Sequence, residues 1–248
     1  MKLSLMQIKK TFINDGKPHK VLENISLDVK EGEFVTLLGP SGCGKTTLLT
    51  IVAGFQKADS GQILLEGKKV TKPGPDRGFV FQNYALFPWM NVKENILFPM
   101  KQGKMPKSER ENRLEALLKL AHLEGKEKLY PHQMSGGMKQ RTAVIRALAT
   151  KPDVLLMDEP LGALDFQMRQ NLQTELENIW INDRTTVLMV THDVDEAVYL
   201  SDRVIVMSTN KGKILMDLSV ELERPRNRKS EKYNAYKEKL TEALSEAL

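Results

Sequence analysis

Gly39-Pro40-Ser41-Gly42-Cys43-Gly44-Lys45-Thr46 fulfils the spacing G-x-x-x-x-G-K-[ST] in full. The chemistry this pattern serves is the cradling of a polyphosphate. Glycines let the main chain wrap closely, so that successive N–H groups and a helix N-terminus all face one anion. Lys45 would reach the β- and γ-phosphates, and the Thr46 hydroxyl would ligate Mg²⁺. A Gly-rich strand–helix turn with no ligand is the bland alternative. Against it stand the β-rich apolar run Phe34–Leu38 before the loop and the apolar run Thr47–Ala53, closing near Gly54, after it.

Three further places carry chemistry-bearing residues. Val154-Leu155-Leu156-Met157-Asp158-Glu159 reads as a buried strand ending in two carboxylates. Acids there are costly unless they hold a cation or do chemistry. Asp158 can orient Mg²⁺ and its water, and Glu159 is placed to accept a proton from an attacking water. Ser135-Gly136-Gly137 precedes the helical pattern Lys139–Ala149, which makes it a helix N-terminus with available N–H groups, either a simple cap or a second phosphate contact. Two more strands end in polar residues, Phe79–Phe81 at Gln82 and Thr186–Val190 at Thr191-His192-Asp193. In an α/β sheet the carboxyl ends of strands are where ligands bind.

The elements that must hold these groups alternate. Residues 3–8 and 21–30 read as antiparallel edge strands joined by a polar hairpin around Asn14–Pro18, with Phe12 at its edge. Helical spacing runs from Lys107 to about His122, and helices follow at Gln167–Trp180, Asp195–Leu200 and Tyr233–Leu248, the last as a surface helix. Asn83–Met100 crowds apolar and aromatic residues around two prolines. That stretch is either a packed corner or an apolar groove for a partner helix.

Composition narrows the class. The chain has 248 residues, 28% charged and 41% hydrophobic, with no run of about 18 apolar residues to span a bilayer. Its first ten residues have too short an apolar centre for a signal peptide, and the lone Cys43 makes no internal disulfide, which fits a reducing compartment. The net charge of +5 equals the surplus within Lys101–Arg141, ten Lys/Arg against five Asp/Glu. No aromatic-interleaved basic stripe accompanies it, so nucleic acid is not expected as a partner.

The ordered set GPSGCGKTT, Gln82 after FVF, MSGGMKQR, VLLMDEP, GALD and VTHD resembles the nucleotide-binding subunit of an ABC transporter, over roughly Leu3–Leu218. The resemblance implies an α/β fold: a phosphate-loop core with a mixed central sheet, an N-terminal antiparallel β edge and an inserted α-helical subdomain. It implies a cassette over residues 1–225, with its core at about 1–87 and 151–220, the helical subdomain at about 88–150, and a charged helical tail at 226–248. By it, Phe12 stacks on adenine, while Gly39 to Thr47 and Ser135, Gly136, Gly137 and Asp165 bind ATP, the last four across a dimer interface. Thr46, Gln82 and Asp158 serve Mg²⁺, Glu159 is the catalytic carboxylate, His192 the γ-phosphate switch, and Gln82 links to the membrane partner. The implied protein is an ATPase on the cytoplasmic face of the membrane. It pairs with a second copy of itself and with transmembrane permease subunits, and through them a substrate-binding protein.

The usual L-S-G-G-Q reads Met134-Ser135-Gly136-Gly137-Met138, a change that leaves Ser135 and the backbone contacts in place. PGPDRG, ALFPWMNVKENI and THDVDEAVYLSDRV resemble the nitrate/sulfonate/taurine branch of bacterial importers, which also contains systems for pyrimidine-type vitamin precursors. A soluble relative acting on nucleic acid would resemble chains with tandem cassettes or a long coiled-coil insertion, and neither is seen.

Overall fold

The computed structural model describes residues 1–162 and 166–248, apart from the side chains of 166 and 168. In chain order the elements are β1 (Leu3–Asn14), β2 (Lys17–Val29), β3 (Phe34–Leu38), α1 (Lys45–Val52), β4 (Ser60–Leu65), β5 (Lys68–Lys69) and β6 (Arg77–Val80). Then come α2 (Val92–Gln102), α3 (Lys107–Leu120), α4 (Gly136–Leu148), β7 (Val154–Asp158), α5 (Phe166–Asp183) and β8 (Thr186–Thr191). The chain closes with α6 (Val194–Leu200), β9 (Arg203–Met207), β10 (Ile214–Ser219) and α7 (Glu231–Glu246). Two compact units result, one of residues 1–74 with 186–248 and one of residues 75–185.

The first unit holds an antiparallel sheet in the order β2-β1-β4-β5. Leu3, Leu5 and Ile8 of β1 and Leu22, Ile25, Leu27 and Val29 of β2 are buried and alternate with exposed or half-buried strand residues, the alternation of a half-covered sheet. The hairpin is longer than the apolar alternation suggests. Asn14 pairs with Lys17 across a two-residue Asp15-Gly16 turn, both residues at positive φ (50° and 74°). Such a turn matches strand twist and carries the ladder to its end, however polar the side chains.

The same unit contains β3 running parallel to both β8 and β9, with β10 antiparallel on the outer side of β9. Every residue of β3 and β8 is buried, as strands covered on both faces require. The C-terminal helix lies on the surface, as expected, with one face docked. Tyr233, Leu240 and Ala243 share one face of α7 and are buried. The Tyr233 hydroxyl donates to Asp195 of α6 at 3.0 Å, and the same carboxylate takes Arg228 at 2.5 Å and Lys237 at 3.2 Å.

The second unit carries β6 parallel to β7 together with α2, α3, α4 and α5. α4 packs directly behind β6, where a methyl group on Gly78 would come 2.7 Å from the Ala147 carbonyl. α2 opens with a reciprocal cap, Asn91 accepting from Glu94 N–H and Glu94 from Asn91 N–H, each at 2.9 Å. Of the two prolines read as helix breakers, Pro88 precedes α2, but Pro99 lies inside it at the loss of one main-chain bond. Among the described residues no helix is long and apolar enough to cross a membrane.

Candidate functional site

The phosphate loop is built by close approach. A methyl group on Gly39 would stand 2.5 Å from the Met207 carbonyl oxygen and 2.8 Å from Cys43 Sγ. Gly44, at φ 98°, turns the chain into α1. The helix has no side-chain cap and no acidic residue in its first turn, so its leading N–H groups face the loop as anion donors. Lys45 is buried and its ammonium donates to the Gly39 and Pro40 carbonyls at 2.7 and 2.9 Å, which anchors the charge beneath the loop. Burial pushes the Cys43 thiol above its ordinary range, and nearby Lys45 only partly offsets this. Ser41, Gly42 and Thr46 are exposed, and Thr47 is half-buried.

His192 shares that edge. β3 and β8 run in register with Leu38 opposite Thr191, so the phosphate loop and the His192 turn leave the sheet at the same carboxyl end. The turn is held on both sides of the exposed His192. Thr191 Oγ1 donates to Glu196 at 2.7 Å, Asp193 N–H donates to Thr191 Oγ1 at 3.1 Å, and Asp193 caps α6 by accepting from Glu196 N–H at 3.0 Å. Phe12 stands in the hairpin opposite His19, half-buried, with the Lys10 ammonium 5.3 Å from its ring centre.

In the second unit Gln82 and Glu159 meet. The Gln82 amide donates to Glu159 Oε2 at 3.3 Å, across 77 residues of sequence. Glu159 follows Asp158 at the end of β7 and sits at φ 42°, a left-handed conformation rare outside glycine and frequent at functional positions. Ser135 is exposed and caps α4, accepting from Met138 N–H at 3.3 Å. Gly136 is half-buried. Gly137 is buried, and a methyl group there would come 3.3 Å from Leu172 of α5. Asp165 lies outside the described residues.

Beside Gln82 lies an apolar groove of about 650 Å³ whose lining includes Phe79, Phe81, Ala85, Phe87, Phe98 and Arg146. Of the two readings of Asn83–Met100, the groove is present. Trp89, near it in sequence, is 69% exposed. Sequence reasoning passed over two residues that shape this region. Asn95 is buried and binds the carbonyls of Phe87, Met90 and Asn91. Arg146 binds those of Tyr84 and Ala85. A charge within the apolar turn Ile145-Arg146-Ala147-Leu148 was the available signal for the second.

A family model described as "ABC transporter" matches residues 22–162 of this arrangement. The chain belongs to the ABC transporter family. Its ABC fold is α/β with antiparallel and mixed sheets and a helical insert, and as an ABC cassette it is an ATPase that binds adenine nucleotide. An uncharacterized ABC transporter ATP-binding protein of Methanocaldococcus jannaschii is 48% identical over 246 residues, 99% of this chain and 92% of that protein. The aliphatic sulfonates import ATP-binding protein SsuB of Bacillus subtilis is 44% identical over 232 residues, 94% of this chain and 90% of that protein. Among solved structures, a dimeric ATP-binding cassette in a post-hydrolysis state with ADP and Pi superposes with a TM-score of 0.75. It is 33% identical, over 88% of this chain and 99% of that one.

Proposed function

We propose that the chain is the ATP-hydrolysing subunit of an importer, peripheral on the cytoplasmic face of the membrane and driving separate permease subunits. The observation that carries this reading is the segment around Gln82. Within it Gln82 bonds the Glu159 carboxylate while Phe81 and Ala85, on either side, line the apolar groove, so a partner helix seated in the groove would touch the chain that holds Glu159. The helix of a membrane permease suits such a groove, because it brings apolar side chains at helical spacing.

In this reading the N–H groups of Gly39 to Thr47 and the Lys45 ammonium bind the ATP phosphates, and Phe12 supports the adenine. Glu159 takes a proton from the attacking water, Gln82 holds that carboxylate, and His192 bonds the γ-phosphate. Thr46, Asp158 and Gln82 offer a hydroxyl, a carboxylate and an amide oxygen. These are the donor types that Mg²⁺ takes beside waters and phosphate oxygens. When bound, the ion would offset charge on the β- and γ-phosphates. Ser135, Gly136, Gly137 and Asp165 would face the nucleotide of a second copy, so that two ATP molecules are enclosed in a homodimer that reopens after hydrolysis. The dimeric state of the related cassette and the importer names of the relatives support this arrangement. A substrate-binding protein would act through the permease. Aliphatic sulfonates are the first cargo class to test, with nitrate, taurine and pyrimidine-type precursors next.

Light scattering after size exclusion of Glu159→Gln, with and without Mg·ATP, tests the core of the proposal. The expected result is a nucleotide-dependent shift to twice the monomer mass. A monomer at saturating ATP, both alone and with the co-expressed permease, would overturn it.

A further inference from the structure

Between β6 and α2 the chain runs from Phe81 to Asn91 without regular structure, and its carbonyls are collected by side chains from two helices. From α2, Asn95 takes Phe87, Met90 and Asn91, at 3.3, 2.9 and 3.0 Å. From the last turn of α4, Arg146 donates to the Ala85 carbonyl at 2.7 Å and to the Tyr84 carbonyl at 2.9 Å. Its guanidinium also stands 5.6 Å from the Phe87 ring centre. Tyr84 and Ala85 both lie at positive φ, 64° and 44°, a conformation that a non-glycine residue keeps only where its surroundings enforce it. They follow directly on Gln82 through a turn closed by Tyr84 N–H to the Phe81 carbonyl at 2.9 Å. A planar fork of donors can serve two neighbouring carbonyls at once, and an ammonium cannot do so with the same geometry.

We propose that Arg146 is a positioning residue for ATP hydrolysis, its guanidinium clamping Tyr84 and Ala85 so that Gln82 is held on Glu159. Ser135 caps α4 and Arg146 also lines the groove, so one side chain joins the partner surface, the Gln82 segment and the helix that opens at the second phosphate contact. Burial favours the neutral form of Arg146. The two carbonyls pair with the guanidinium at this place. The inference rests on the roles proposed above for Gln82 and Glu159.

Arg146→Lys keeps the charge and most of the stem and removes the fork. Amide exchange over residues 82–87 should accelerate about ten-fold. The value of kcat should fall about three-fold at unchanged ATP KM, by no more than Gln82→Ala lowers it, because Arg146 acts through that residue. Unchanged exchange in this segment, or a raised KM at unchanged kcat, would overturn the proposal. Should the variant fail to fold, the wild-type protein gives a second test. The guanidinium Nη protons of Arg146 should be individually observable by NMR at neutral pH, and averaging of those signals by rapid solvent exchange would overturn the clamp. Gln82→Ala separates the two levels of the argument. A normal kcat in Gln82→Ala removes the role given to Gln82, and the exchange measurement still decides the clamp.

Discussion

Removing the Gln82 side chain should lower turnover only modestly, and only while Glu159 keeps its carboxylate. The bond between them is 3.3 Å long and open to solvent. A hydrogen bond to a charged group is worth about 1.5–3 kcal/mol when well formed. At this length and exposure we take about 1 kcal/mol. With about 1.4 kcal/mol to each factor of ten in rate, Gln82→Ala should reduce kcat roughly five-fold. Glu159→Gln removes the carboxylate that we assign as the base, a contribution of about 10²–10⁴. In the double variant the five-fold effect should vanish, since a neutral amide at position 159 no longer needs orienting as a base. The assay is steady-state phosphate release over a range of ATP concentrations, giving kcat and KM for the wild type, both single variants and the double variant. An equal loss from Gln82→Ala in both backgrounds would refute the reasoning. So would a raised KM at unchanged kcat, which would make Gln82 a nucleotide contact and not a partner of the base.

Four further outcomes are expected. Ser135→Arg should abolish ATP-driven dimerisation and turnover while leaving ATP binding to the isolated chain intact, as measured by light scattering and calorimetry. Phe12→Ala should weaken ATP binding by about 1 kcal/mol through lost stacking, and unchanged affinity would return Phe12 to a plain strand residue. Tyr233→Ala should cost about 3–5 kcal/mol through the cavity it leaves, lowering the melting temperature by roughly 6–20 °C. Tyr233→Phe should cost only about 1 kcal/mol, since Asp195 keeps Arg228 and Lys237. Cys43, its thiol pushed up by burial, stays protonated at neutral pH, so alkylation followed by mass spectrometry should be slower than for a free cysteine and should climb only in alkaline solution.

What could be read from the sequence follows how far each determinant reaches along the chain. The phosphate loop was legible because its parts lie within eight residues and each residue type has a local reason. Gly44 must take φ 98°, and Gly39 must leave room for the Met207 carbonyl. The carboxylates after β7 and the polar residue after β8 were legible because apolar strands ending in polar groups are a local pattern. The hairpin was underestimated because polar side chains hid a ladder that depends on the Asp15-Gly16 turn. The docking of α7 escaped notice because its anchor pairs Tyr233 with Asp195, 38 residues earlier, and a lone Tyr on a charged helix gives no local hint of burial. Arg146 is the extreme case. It reaches back 61 and 62 residues to main-chain oxygens, which carry no side-chain identity that a pattern could register. The groups to which we assign chemistry are thus written in short motifs. The groups that we propose align Gln82 with Glu159 are long-range bonds from side chains to backbone, and only the folded chain makes them visible.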